Sequence, residues 1–121
     1  MTTFDFDDDN GPVPAHQHRH GGGWVADTAK VADTVYVGPD AKVFGYAQVY
    51  DDAQVFGYAQ VFNKAKVFGY ARVYDDALVY DDAKVFDYAQ VFNKAQVYDN
   101  AKVFGYAQVF NKAKVISTTP V

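Results

Sequence analysis

The chain has 121 residues, a formal charge of −4, no cysteine and no glutamate, so every acidic side chain is Asp. The absence of cysteine excludes disulfide staples and thiolate chemistry, and a mildly acidic balance argues against nucleic acid as a partner. Half the residues are hydrophobic, yet no apolar run approaches the length of a membrane span, so no membrane partner is expected.

Residues 1–22 form an N-terminal arm outside any repeat. Asp5, Asp7, Asp8 and Asp9 against Arg19 give the arm a charge of −3, and eleven Asp against ten Lys and Arg leave the remainder at −1. Phe4-Asp5-Phe6-Asp7 alternates apolar with acidic, Asp8-Asp9-Asn10-Gly11 reads as a turn, and Pro12 and Pro14 keep the chain extended. His16, His18 and His20 alternate, so an extended strand aims three imidazoles to one side; they are weak candidate metal ligands, because such a trio in a polar linker is more often simply solvated. Asp5, Asp7 and Asp9 with Gly11 resemble an acidic calcium loop, but the glycine falls one place late. No metal site and no cofactor is assigned. The opening Met-Thr-Thr-Phe-Asp-Phe-Asp lacks the basic and apolar regions of a secretory signal. The expected setting is a cytoplasmic assembly, a virion component or a filament exported by another route.

From Gly23 onward the chain keeps a beat of six. Val recurs at every sixth position from Val25 to Val115, sixteen times, and Val121 falls on the same beat. Ala stands two places before each Val from Ala41 to Ala113. Phe or Tyr follows each Val from Val43 to Val109, and Gly, Asp or Asn comes next. A two-residue alternation puts Ala and Val on one face of a short strand. Gly, Asp and Asn tolerate positive φ, so they mark a corner. A six-residue period matches no helix, and Val with aromatics favours strands. The expected fold is an all-β solenoid spanning residues 23–121. Its core holds Val43, Val49, Val55, Val61, Val67, Val73, Val79, Val85, Val91, Val97, Val103 and Val109. Each buried Val contributes on the order of 1.5–3 kcal/mol.

On this unit, Ala-x-Val-(Phe/Tyr)-(Gly/Asp/Asn)-x, the chain resembles the hexapeptide-repeat left-handed parallel β-helix proteins, of the non-transferase type found in bacteria and phages. The stretch Gly21-Gly22-Gly23-Trp24-Val25-Ala26-Asp27-Thr28-Ala29-Lys30-Val31 is similar to the opening of polar hexapeptide proteins of that kind. The resemblance implies left-handed triangular coils of three hexapeptides each, about five coils and roughly 25 Å of rod at the usual strand spacing. Many such proteins are acyltransferases with a catalytic His on a coil or an excursion loop. All three His here precede Gly23, so no catalytic residue is assigned and an acyltransferase-like enzyme is the last of the alternatives.

With Val and Ala inside, function falls to the faces, corners and ends. An eighteen-residue period sorts the outward aromatics into three ladders: Phe44, Phe62, Tyr80 and Tyr98; Tyr50, Phe68, Phe86 and Phe104; Phe56, Tyr74, Phe92 and Phe110. Lys66, Lys84 and Lys102 fall beside the second. Stacking along the rod is one role for the rings, and lateral contact with another subunit or a glycan is the other. At the corners Lys64 falls over Asp82 and Asp76 over Lys94. Trp24 is expected to cap the first coil. The C-terminal run Val115-Ile116-Ser117-Thr118-Thr119-Pro120-Val121 reads as no plug for the last. The leading expectation is a structural homopolymer, stacking head to tail into a filament, with Phe4 and Phe6 of the arm joining a neighbour's aromatic row and its Asp residues meeting Lys66, Lys84 and Lys102. The alternative is a glycan- or surface-binding module, for example in a phage fibre.

Overall fold

The computed structural model describes residues 2–116, which contain strands and turns and no helix. β1 (Thr3–Asp5) and β2 (Pro12–Gln17) form an antiparallel hairpin, and β2 pairs antiparallel with β3 (Trp24–Ala26). From there two-residue strands recur on the Val beat and stack into three sheets. Sheet 1 continues from β3 through β6 (Lys42–Val43), β9 (Gln60–Val61), β12 (Leu78–Val79), β15 (Gln96–Val97) and β18 (Lys114–Val115). Sheet 2 holds β4 (Lys30–Val31), β7 (Gln48–Val49), β10 (Lys66–Val67), β13 (Lys84–Val85) and β16 (Lys102–Val103). Sheet 3 holds β5 (Tyr36–Val37), β8 (Gln54–Val55), β11 (Arg72–Val73), β14 (Gln90–Val91) and β17 (Gln108–Val109). The result is the β-solenoid that the beat predicts, with about five stacked parallel coils, the number that the resemblance implies.

Every coil binds the next through the main chain. Lys42 N–H donates to Ala59 O at 3.1 Å and Phe44 N–H to Val61 O at 3.0 Å, and the same pair of bonds repeats along the rod. From β6 onward the inward-facing partners in adjacent coils are therefore identical in type, Val over Val and Ala over Ala, as in Val43↔Val61 and Val61↔Val79. All the Val from Val43 to Val97 are fully buried, in one continuous apolar cluster. Val35 occupies an Ala position in the first coil and is equally buried, so that coil is packed with a larger side chain.

The corners carry more than permissive φ angles. All twelve residues after the ladder aromatics, Gly45 to Asn111, have φ between 56° and 68°. At Gly57 an added Cβ would stand 2.8 Å from Asp75 N, so that corner has little room for a side chain. Where Asp or Asn stands instead, Asp51, Asp75, Asp81, Asp87 and Asn93 reach along the axis by one coil and accept a main-chain N–H. Asp51 accepts from Gly69 N at 3.1 Å, Asp81 from Asp99 N at 3.1 Å, and Asp87 from Gly105 N at 3.0 Å. Asn93 Oδ1 does the same for Asn111 N at 3.1 Å. The corner thus supplies a second set of bonds along the axis.

Replacing Asp87 by Ala removes both its acceptor and its tolerance of positive φ. A loss of about 1–2 kcal/mol is expected, or several degrees in the thermal midpoint of a domain this size. Asp87→Asn keeps both properties and should stay close to wild type; equal midpoints for the two variants would disprove the corner bond's contribution.

Candidate functional site

The described surface differs most from a plain rod at its N-terminal end. The ladder positions of the first coil hold Ala26, Ala32 and Gly38 rather than aromatics, so three rungs are empty. The arm fills the first of them. Phe6 is buried and stacks on Phe44 with ring centroids 4.8 Å apart and planes at 17°, extending the sheet 1 ladder by one ring. Phe4 stacks on Trp24 at 4.7 Å, and Lys42 Nζ lies 5.5 Å from the Phe4 ring. Phe6, Ala15, Ala26 and Phe44 form a second buried cluster under the hairpin. Phe4 and Phe6 therefore lie on their own chain, and the contact expected with a neighbour's aromatic row is made in cis. Trp24 does pack at the first coil.

The arm also covers sheet 3. His20 O accepts Val37 N at 2.9 Å, and Gly23 N donates to Val37 O at 3.0 Å. A Cβ at Gly23 would stand 2.3 Å from Gly38 O, so glycine permits this crossing. His18, 5% exposed, donates from Nε2 to Val35 O at 2.7 Å. His16 Nδ1 instead meets Asp27 Oδ1 at 2.7 Å on the surface. The three imidazoles thus take separate roles: His16 with a carboxylate, His18 in the cap, and His20 exposed with its ring 6.2 Å from that of His18. Of the three first-coil strands, β3, β4 and β5, only β4 shows no main-chain partner on its outer edge among the described residues. Val31 beside it is half-buried, next to a cleft of about 610 Å³ that reaches His16 and Tyr50.

The hairpin's turn is acidic. Asp5 Oδ1 accepts Asp7 N at 2.9 Å, and Asp8 binds Asn10 through N at 3.2 Å and Nδ2 at 3.1 Å. Asp7 and Asp9 have positive φ and are exposed.

Along the faces the three aromatic ladders form as the period predicts. Phe44–Phe62, Tyr50–Phe68 and Phe56–Tyr74 each stack at 4.8 Å with planes within 5°. A fourth ladder, Tyr70–Tyr88–Tyr106, runs along a corner at 5.1 Å per step. Tyr80 also donates to Gln96 Oε1 at 3.2 Å, and burial raises its phenol pKa, with Tyr98, Asp81 and Asp99 adding to the rise. Lys66, Lys84 and Lys102 stand in strict register on sheet 2. Among the described residues Arg19 and Asp33 form an ion pair, His16 and Asp27 form one only when the imidazole is protonated, and none joins Lys64 to Asp82 or Asp76 to Lys94. At the C-terminal end Ala107, Ala113 and Ile116 are exposed and Val115 is half-buried, while Val121 lies outside the described residues.

These features define a β-solenoid repeat protein. Among known families, the model for the YdcK beta solenoid repeat matches residues 95–110, a stretch that holds β15, β16 and β17. No curated protein and no solved structure matches the chain.

Burial lowers the pKa of His18 below its ordinary 6.5, and the nearby His20 and His16 work in the same direction against the Val35 carbonyl and Asp33. A depressed folded value means that the seated cap is fully stabilised above the ordinary pKa and loses that contribution as pH falls through the folded one. Trp24 emission, reporting its stack on Phe4, is expected to change as pH falls from 7 toward 5. The change should disappear in His18→Gln; if the variant titrates like wild type, His18 is not the group responsible.

Proposed function

We propose that this protein is a structural element, a short non-enzymatic rod that self-associates. The observation that supports the reading is the unequal finish of its two ends. At the N-terminal end the chain's own hairpin pairs with β3 and its loop pairs with β5, whereas Ala107 and Ala113 of the last described coil are exposed. An unpaired solenoid edge is a template for another strand, and a covered edge is the usual protection against that.

Head-to-tail stacking with pairing in all three sheets needs the position directly beyond β3. β2 holds that position. Filament growth by end stacking therefore requires the hairpin to leave sheet 1, which makes residues 2–22 a cap on assembly. The glycan-binding alternative draws less support from the ladders. Rings stacked at 4.8–4.9 Å turn their faces to one another and present edges outward, so a sugar finds an open face chiefly on the terminal rings.

Negative-stain microscopy and sedimentation velocity test the proposal on two chains. The full chain should form small, concentration-dependent oligomers, and a chain lacking residues 2–22 should form longer unbranched filaments. If both remain monomeric across the concentration range, the structural reading is wrong. If the deletion shortens rather than lengthens the assemblies, the hairpin is not a cap.

A further inference from the structure

With the hairpin seated on sheet 1, copies of the full chain need a contact other than end stacking. Sheet 2 offers a surface for one. Lys66, Lys84 and Lys102 lie side by side in parallel register, and none belongs to an ion pair among the described residues. Like charges placed directly opposite on neighbouring strands repel. The matching columns elsewhere avoid this: sheet 1 reads Lys42, Gln60, Leu78, Gln96, Lys114, and sheet 3 reads Tyr36, Gln54, Arg72, Gln90, Gln108. Three consecutive cations thus occur in one column of the three. Lys64 adds a fourth charge on the adjoining corner, and together these lysines line an open groove of about 520 Å³ that also includes Asp82.

We infer that this lysine ladder is the docking strip for the acidic turn, Asp5 to Asp9, of a second copy of the chain. The inference rests on the self-association reading and names the surfaces that carry it. Charge complementarity within one sequence supports it: the arm holds a surplus of −3 and the rest of the chain only −1. The two surfaces do not meet within one molecule. The hairpin extends sheet 1 beyond the first coil, while β10, β13 and β16 lie two to four coils further along sheet 2, about 10–19 Å from the first coil at the usual strand spacing. The strip also selects for a short partner. Gln48 ends it on one side, and Asp81, Asp82, Asp87 and Asp99 border it at the corners, so a long polyanion running past it meets repulsion. A tight turn with exposed Asp7 and Asp9 delivers its charge over a few residues. The contact is heterologous, turn to ladder, so each copy offers one half to each of two neighbours.

Two variants of the full chain test this. In one, Lys66, Lys84 and Lys102 are replaced by Gln. In the other, Asp7→Asn and Asp9→Asn remove charge while keeping a residue that accepts positive φ, and Asp8 stays to hold the turn. Sedimentation velocity should show association weakened about tenfold in each variant, the scale of two or three exposed ion pairs. Wild-type association should weaken likewise when NaCl is raised from 0.15 to 0.5 M. Mixing the variants should restore a one-to-one heterodimer, because one supplies the turn and the other the ladder. Circular dichroism and thermal midpoints confirm that both fold. If both variants associate like wild type, this inference is overturned while the self-association reading stands. If wild type itself remains monomeric, this inference is overturned, and the self-association reading falls with it only if the chain lacking residues 2–22 is monomeric too. If the lysine variant associates normally but loses retention on heparin-agarose that wild type shows, the occupant is an external polyanion and the second-copy assignment is wrong.

Discussion

Parallel main-chain pairing across eighteen residues is the constraint on which the rest of this molecule depends. From β4 onward each strand is only two residues long and would not persist alone, so its stability comes from the neighbouring coils. Pairing in register places like over like, which is why Val, Ala, aromatic and corner residues each form a column. A single unit repeated with little variation then yields a dry Val-Ala interior and a surface made of ladders.

The same constraint explains where chemistry enters. An interior of Val and Ala has no polar side chain to offer, so every specific interaction lies at a corner, on a face or at an end. At corners the Asx side chains reinforce the axis, and on faces the rings cover one another. Both uses consume groups that would otherwise be available to a ligand. The lysines of sheet 2 are different: their register repeats a charge without supplying its partner, and the physics of pairing gives no reason for that arrangement within one chain.

The ends break the periodicity and therefore carry most of the individuality. Ala26, Ala32 and Gly38 omit the aromatic rung in the first coil. Phe6 replaces one of those rungs from outside the repeat, Phe4 takes up Trp24, and His18 fastens the chain to the opposite edge. Because β1 runs antiparallel to β2, and β2 to β3, the hairpin's outer strand again runs parallel to the solenoid strands, but it is three residues long and carries Asp5. A short, acidic edge is a poor template for further pairing.

The sequence by itself determined the solenoid, because a period of six with Val at its centre leaves only short strands separated by corners. It also determined the core list, while the three aromatic ladders follow from counting at eighteen, a number that came from the three-sided coil of the resembling family and not from the six-residue period. The corner bonds were half legible: positive φ was expected at Asp, Asn and Gly, but that the same carboxylates cap the next coil depends on how closely the coils approach. Only the tertiary structure decided the arm. Phe4 and Phe6 suit any of three similar rows, on this chain or another, and local alternation carries no address. The vacant rung at Ala26, the edge of β3 and the reach of the six-residue connection between β1 and β2 together select the chain's own sheet 1.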